Sequence, residues 1–160
     1  MGDYMRLSTR SRYGVRAMLN LALHYKKGPI SVRYISDKED ISVAYIEQLL
    51  AKLRKANLVD SVRGPNGGYK LAKKPGDITV FNIIKALEKD VEPVYCLSNE
   101  NADKDKRCAR INRCVARLVW KKLADSIHNT LDSISLDSMC RQAQSLKQEA
   151  GLGHKYTFSI

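Results

Sequence analysis

The chain has 160 residues, of which 44% are apolar, so it can bury one core and a smaller appendage without disulfides. Its apolar runs fall short of the roughly 20 residues that a membrane span needs, and residues 1–10 lack a secretory signal, so we expect a cytoplasmic protein with no membrane partner. The net charge of +11 is concentrated in residues 1–75, which hold 15 Lys and Arg against 6 Asp and Glu, and this asymmetry favours a nucleic-acid partner over a surface that is basic for solubility alone.

Three short helices with tight links are predicted at the start of the chain. The first covers residues 8–25, the second covers 32–39, and the third runs from the N-cap Ser42 to about residue 56. The buried side of the first helix is predicted to hold Val15, Met18, Leu19, Ala22 and Tyr25, opposite Arg12, Arg16 and Asn20. The buried stripe of the third helix is predicted to be Ile46, Leu49, Leu50 and Leu53, opposite Ala44, Glu47, Gln48 and Ala51.

A β-hairpin and a fourth helix are predicted next. Residues 58–63 and 69–71 are rich in β-formers, and the glycine-rich segment 64–68 between them is typical of a flexible hairpin tip, or wing. Thr79 can cap a helix over residues 80–88, whose Phe81, Ile84 and Leu87 we expect to pack on the first domain.

The second half is predicted to contain a loop, two helices and a tail. Residues 91–113 have no apolar period, which indicates a loop, and a loop of this length is usually functional or disordered. A helix over 115–129 carries an apolar seam that could pair two chains, and another helix covers 136–147. The seam consists of Ala116, Trp120, Leu123 and Ile127.

We therefore expect a mainly α fold with a small β-hairpin wing, that is, a winged helix-turn-helix domain plus a long dimerisation helix. The expected divisions are the DNA-binding domain (5–75), a linker and packing helix (76–90), a cysteine-bearing loop (91–114), the dimerisation helix and C-terminal helix (115–147), and a tail (148–160).

In a winged helix-turn-helix the third helix lies in the major groove. The residues placed to face base edges are then Ala44, Tyr45, Glu47 and Gln48. Gln can pair with adenine, and Glu can accept from cytosine or repel wrong sequences. The alternative is that Glu47 and Gln48 only keep the helix surface polar.

The wing and the start of the first helix supply further candidate DNA contacts. Arg63 ends the first wing strand and could enter the minor groove, while glycines in the tip let the backbone approach a phosphate closely. These glycines are Gly64, Gly67 and Gly68. The candidate phosphate contacts of the first helix are Arg6, Ser8, Arg10 and Arg12.

Three of the four cysteines bracket or lie within the irregular segment. Cys96, Cys108 and Cys114 can converge on one point, but they contain no Cys-x-x-Cys pair of the kind that zinc sites usually show. Three thiolates on a loop suit an iron–sulfur cluster or a thiol redox switch. Cys140 lies in a helix beside Met139, where we expect it to pack as a small apolar residue.

Five segments of the chain carry a family signature: MRLS at 5–8, RY at 12–13, YIEQL at 45–49, LRK at 53–55 and SVRGPNGGY at 61–69. Together they closely resemble the IscR-like iron–sulfur cluster regulators, and the resemblance spans residues 5–141. It implies a homodimer that binds palindromic operators in double-stranded DNA, with the cluster state tuning its sequence preference, and it implies repression of genes for cluster assembly. It also implies that Glu47 and Arg63 contact or discriminate bases, and that Cys96, Cys108 and Cys114 ligate iron.

The chain departs from this family at one position. IscR proper has a histidine three residues after its third cysteine, where this chain has Arg117, whose guanidinium offers no lone pair. The fourth ligand is therefore left open between an acidic loop residue, a group from the partner subunit and an open iron site. The acidic candidates are Glu100, Asp103 and Asp105. A cluster of two irons is favoured, with four irons as the other choice.

Two other functional classes are alternatives to a cluster-sensing regulator. One is a winged-helix regulator of the same fold that thiol oxidation or a partner protein controls without a cluster. The other is an enzyme, which we do not expect because the cysteine loop contains no His as an evident base and no phosphate-cradling motif precedes a helix.

Overall fold

A computed structural model describes residues 8–88, 91–97 and 110–150. In these residues helices dominate, and one β-hairpin follows the third helix. The helices are α1 (Thr9–Leu23), α2 (Val32–Glu39), α3 (Val43–Lys55), α4 (Val80–Leu87), α5 (Ala116–Ser133) and α6 (Leu136–Ala150). The strands are β1 (Val59–Val62) and β2 (Gly68–Leu71), and short 3-10 turns cover Pro75–Asp77 and Tyr95–Leu97.

Side-chain caps fix where the first four helices begin. The hydroxyls of Ser8, Ser31 and Ser42 each accept a hydrogen bond from a backbone N–H in the first turn of α1, α2 and α3. Thr79 caps α4 in the same way, and the Asn82 side chain accepts a hydrogen bond from the Thr79 N–H (3.0 Å). Each such cap stabilises its helix by about 1 kcal/mol, so local sequence sets these four starting points.

α1 lies at the centre of the fold and packs against α2, α3, α4, α6 and β2. Its buried side chains therefore surround most of the helix instead of forming one stripe. They belong to Ser11, Gly14, Ala17, Met18, Leu19, Asn20, Leu21 and Ala22. The prediction that Asn20 faces outward is wrong, because α2 covers that side of α1 and the Asn20 Nδ2 donates to Glu39 Oε1 (2.6 Å).

The wing is an antiparallel hairpin that is tied to the link between α1 and α2. Val59 pairs with Leu71 and Val62 pairs with Gly68. On the other edge of β2, the Ile30 N–H donates to the Tyr69 carbonyl (3.0 Å), and the Tyr69 N–H donates to the Ile30 carbonyl (2.9 Å). β2 is thus bonded on both edges, which fixes the wing relative to the helices.

α4 lies between the core and α5. Ile83 and Leu87 belong to the core cluster, whereas the Phe81 ring centroid lies 4.8 Å from that of His128 on α5. The prediction that Phe81 packs on the first domain is therefore wrong. The helical period placed it near the apolar face of α4, but α5, which is distant in sequence, covers the side on which Phe81 lies.

α5 and α6 return the chain to the start of α4. α5 continues to Ser133, beyond the predicted end near residue 129, and the Asp132 carboxylate in its last turn accepts from the Thr79 hydroxyl (2.9 Å). A short antiparallel bridge between Thr79 and Ser135 then aligns α6. Leu136 and Ala143 of α6 are buried, and α6 packs against α1.

The expected fold class is confirmed: helices dominate and a two-stranded hairpin forms the wing. None of the helices in the described ranges combines the length and the apolar character that crossing a membrane would require.

Substitution of Gly68 by Ala is expected to destabilise the wing. An added Cβ would lie 2.1 Å from the Ile30 carbonyl oxygen, a backbone atom that no rotamer change can move. We expect Gly68→Ala to lower the free energy of unfolding by about 1–3 kcal/mol in urea denaturation. Gly76→Ala is the matched control, because its Cβ would meet only Asp137 Cβ at 4.0 Å. Equal unfolding midpoints for the two variants would contradict the argument.

Candidate functional site

The outward face of α3 carries the candidate base-reading residues. Ala44, Glu47 and Gln48 are exposed, while the buried stripe is the predicted set of Ile46, Leu49, Leu50 and Leu53. Tyr45 is half-buried, because its ring packs edge-on against Tyr13 of α1 with centroids 6.0 Å apart. Three of the four candidate side chains are therefore open to a ligand, and the fourth also anchors α3 to α1.

The turn between α2 and α3 is held by a buried carboxylate. Glu39, with a side chain only 10% exposed, forms an ion pair with Arg16 and accepts from Asn20, both on α1. Asp40 then adopts a left-handed conformation (φ 54°), and the Ser36 hydroxyl donates to the Ile41 carbonyl (2.6 Å). These bonds fix the angle at which α3 leaves α2.

The wing presents Arg63 beside a tight turn. Arg63 is exposed, and the Gly67 N–H donates to the Gly64 carbonyl (2.9 Å) to close the tip. Gly64 has a φ of 121°, a conformation that residues with a side chain rarely adopt, and no heavy atom lies within 4 Å of the place where a Cβ would be. A ligand can therefore approach the Gly64 backbone closely. The Arg54 side chain of α3 donates to the Ser61 hydroxyl of β1 (3.1 Å), which links the wing to α3.

The start of α1 is occupied by a glutamate from α4. Glu88 accepts hydrogen bonds from the hydroxyls of Ser8 and Ser11. Burial alone would raise the pKa of Glu88, but these bonds and the charges of Arg10 and Lys52 outweigh it and lower the pKa. The Ser8 hydroxyl thus already donates its proton to Glu88 and is not free to donate it to another group. Arg12 is exposed, whereas Arg6 lies outside the described residues.

Two cysteines of the predicted cluster set lie beside α5. Cys96 is in the 3-10 turn Tyr95–Leu97, which packs against α5, and Cys114 lies just before α5 begins. Both are half-buried free thiols. Cys108 and the acidic candidates Glu100, Asp103 and Asp105 lie outside the described residues. Within the ranges that are described, no group of three His, Cys, Asp or Glu side chains could hold a metal ion.

Cys96 and Cys114 are the only predicted thiolate ligands within the described residues, and Arg117 stands where a fourth ligand was expected. Arg117, one turn after Cys114, is half-buried, and its Nε has no hydrogen-bond partner in the described part of the chain. Thiolates suit iron, but a guanidinium keeps its proton and donates hydrogen bonds only. The described residues therefore contain two of the predicted thiol ligands and, one turn after Cys114, a cation that cannot ligate iron.

Cys140 belongs to a different environment. It is half-buried on α6 and packs against the core cluster. Burial raises the pKa of the Cys140 thiol, and the charge of Asp137 raises it further, so this thiol stays protonated at neutral pH. Its surroundings match those expected of a small apolar residue.

The candidate dimer helix exposes more apolar surface than the predicted seam. Ala116, Trp120 and Leu123 are exposed and Ile127 is half-buried, while Ala124 is the buried residue of the helix. Sequence reasoning missed Val115, Leu118 and Val119, which are 77%, 68% and 61% exposed. Their spacing of three and four residues is a helical signal that the sequence already contained.

Comparison with known proteins identifies the family to which the chain is similar. The sequence profile of the Rrf2 family, described as an iron-dependent transcriptional regulator, matches residues 7–142. The HTH-type transcriptional regulator IscR of Aliivibrio salmonicida is 42% identical over 135 residues, which make up 84% of this chain and 77% of that protein.

Two solved structures are similar over most of their length. IscR of T. potens is 38% identical with a TM-score of 0.70, and the match covers 97% of each chain. CymR, the global cysteine regulator of B. subtilis, is 34% identical with a TM-score of 0.70, over 87% of this chain and 98% of CymR.

Proposed function

This chain belongs to the Rrf2 family of iron-dependent transcriptional regulators, and from that membership we propose that it represses genes for iron–sulfur cluster assembly in response to a cluster that its own cysteines hold. It is a DNA-binding transcription regulator and not an enzyme. The observation that carries the proposal is the position of Cys96 and Cys114, two half-buried free thiols beside the same helix and outside the core cluster.

The proposed DNA surface combines α3, the wing and the start of α1. α3 would lie in the major groove with Ala44, Glu47 and Gln48 towards base edges and Tyr45 at their margin. Arg63 would enter the minor groove, and the open backbone of Gly64 would approach a phosphate. The other proposed phosphate contacts are Gly67, Gly68, Arg6, Ser8, Arg10 and Arg12. For Ser8, a phosphate would have to accept alongside or in place of Glu88.

The proposed cluster site consists of Cys96, Cys108 and Cys114, with two irons favoured over four. The bound cluster would supply sensitivity to iron supply and to oxidants. The chain itself would position the cluster relative to α5, because Cys96 lies in a turn that packs against α5 and Cys114 lies just before α5 begins. A cluster bound by both cysteines would therefore act on the position of α5.

The proposed homodimer uses the exposed apolar face of α5. Ala116, Trp120, Leu123 and Ile127 form the predicted seam, and the exposed Val119, four residues before Leu123, lies next to it. Such exposed apolar side chains are typical of a helix that pairs with another. A two-fold dimer would present two copies of α3 and hence favour a palindromic operator. The divisions at 5–75, 76–90, 91–114, 115–147 and 148–160 remain our proposal for how these roles are distributed.

A second candidate function keeps the DNA surface and replaces the cluster by thiol oxidation. It is favoured by the free thiols of Cys96 and Cys114 and by the absence, among the described residues, of any group of three His, Cys, Asp or Glu side chains that could hold a metal ion. The cysteine experiment below separates the two.

Removal of Arg63 is expected to weaken binding to the operator. Arg63→Ala deletes a base or minor-groove contact, so we expect a loss of about 1–3 kcal/mol on a duplex selected from a random library. Fluorescence anisotropy at several salt concentrations measures it. Lys85→Ala removes an equal charge from α4, outside the proposed surface, and is expected to bind normally. Equal losses for both variants would mean that only total charge matters.

Replacement of Cys96 or Cys114 by Ala is expected to abolish cluster assembly. After anaerobic reconstitution the wild-type chain should be coloured and contain iron, whereas either variant should lose both properties. Cys140→Ala is the matched control, because Cys140 packs in the core and should not affect iron content.

The same proteins decide between the cluster and thiol oxidation. A cluster sensor must bind its operator with different affinities in the loaded and iron-free forms, and Cys114→Ala must remove that difference. If the wild-type chain takes up no iron but loses DNA affinity on oxidation, the thiol switch is the correct function.

A charge on the exposed face of α5 is expected to separate the dimer. Val119 is 61% exposed in the single chain, so Val119→Glu should leave the protomer folded and act only on the interface. Light scattering after size-exclusion chromatography should give a monomer at micromolar concentration. Asn129→Glu places the same charge on another exposed position of α5 and should remain dimeric. A dimeric Val119→Glu variant would place the interface elsewhere.

A further inference from the structure

Val43 is an exposed valine at a helix position where two other helices cover theirs. α2, α3 and α4 each begin with a capping hydroxyl that is followed at once by a valine. Val80 of α4 is only 8% exposed, and Val32 of α2 is half-buried against the core cluster. Val43 of α3 is 39% exposed. Of these three equivalent valines, Val43 is therefore the one that lies at the surface.

The exposure of Val43 does not stabilise the folded chain. A β-branched side chain is a weaker helix former than Ala, and an apolar side chain that stays in water gains nothing from burial. Single exposed apolar residues are nevertheless common on protein surfaces, so exposure alone assigns no role to Val43. Its position on α3 decides whether it has one.

Val43 lies on the face of α3 that we propose to read bases. Glu47 follows it by four residues, so the two side chains are on the same side of the helix, with Val43 one turn nearer the N-terminus. Ala44 beside Val43 is exposed as well, whereas the next turn of this face exposes Glu47 and Gln48. The first turn of the face is thus apolar and the second is polar. Side chains near the N-terminus of a recognition helix are the ones that reach base edges.

Positive charge surrounds this apolar turn. Lys52, Arg54 and Lys55 of α3 and Arg63 of the wing are exposed. Such charges attract phosphates and favour a DNA duplex over an apolar protein surface as the occupant of this face. The apolar group that a duplex presents in its major groove is the 5-methyl group of thymine.

Resting on the proposed DNA surface, we infer that Val43 is a specificity-determining residue whose side chain contacts the 5-methyl group of a thymine in each operator half-site. The contact removes two apolar groups from water. Cytosine in place of that thymine would instead direct its amino group at Val43, which cannot accept a hydrogen bond, so the exchange is disfavoured. Val43 thereby adds thymine to the bases that this face distinguishes.

The test replaces thymine by uracil, which lacks only the 5-methyl group. A duplex that the full-length wild-type chain selects from a random library is remade with deoxyuridine at one thymine position at a time, in every half-site. Fluorescence anisotropy at fixed salt then gives the affinities. At one of these positions we expect the wild type to bind the uracil duplex about fourfold more weakly for each half-site that it occupies.

Val43→Ala should remove this sensitivity. The variant should bind the thymine duplex more weakly than the wild type does, and it should bind the thymine and uracil duplexes equally. It should fold normally, because Ala is the stronger helix former at an exposed position. Val32→Ala is the matched control, since Val32 occupies the same position of α2, and it should keep the wild-type preference for thymine over uracil.

The outcomes separate this inference from the function on which it rests. A wild-type chain that is indifferent to uracil at every thymine overturns the role of Val43, and so does a Val43→Ala variant that keeps the full preference for thymine. Either result leaves operator recognition by α3 and the wing intact. A wild-type chain that selects no duplex from the library overturns the proposed DNA surface together with the inference.

Discussion

Two partly buried carboxylates hold α1, the helix on which the rest of the structure is assembled. Glu88 accepts from Ser8 and Ser11 at the start of α1, and Glu39 binds Arg16 and Asn20 further along it. Since α1 is covered on most sides, its buried polar groups cannot reach water and need partners from neighbouring elements. The glutamates that meet this need end α4 and α2, and they fix both helices relative to α1.

The same constraint relates the DNA surface to the cysteine segment. Glu39 ends α2 immediately before the turn into α3, and Glu88 ends α4 shortly before the segment that leads to Cys96. α1 therefore contacts α2, which precedes the candidate base-reading helix α3, and at a separate point it contacts α4, which precedes the candidate cluster ligands. A shift of α4 relative to α1 would have to break or stretch the Glu88 hydrogen bonds. If the DNA surface and the cysteine segment are coupled, these hydrogen bonds are therefore a place where the coupling would act.

The sequence was sufficient where structure depends on near neighbours. Residues three and four apart on α3 gave the buried stripe, and the caps at Ser42 and Thr79 gave the helix starts, because both signals are local. It was insufficient for Asn20 and Phe81, whose surroundings are set by α2 and α5. The role of Glu88 was missed for the same reason: its partner Ser11 lies 77 residues away. The positions of Cys96 and Cys114 beside α5 likewise depend on packing that no spacing rule reveals.

The buried polar side chains of α1 and α5 differ in whether the described residues supply them with hydrogen-bond partners. In α1 the buried Ser11 and Asn20 are hydrogen-bonded. Two buried side-chain nitrogens without a hydrogen-bond partner in the described residues, Arg117 Nε and His128 Nε2, both belong to α5. For His128 the Glu92 carboxylate is 3.5 Å away, at ion-pair distance when the ring is protonated but without hydrogen-bond geometry.

Among the described residues, α5 combines an unpartnered Arg117 Nε with exposed apolar side chains. Under the proposed function, a second protomer and a cluster would both act on this helix. The DNA surface is held by side-chain hydrogen bonds of its own, so a regulator built in this way would combine a binding surface of constant shape with a part that responds to its partners.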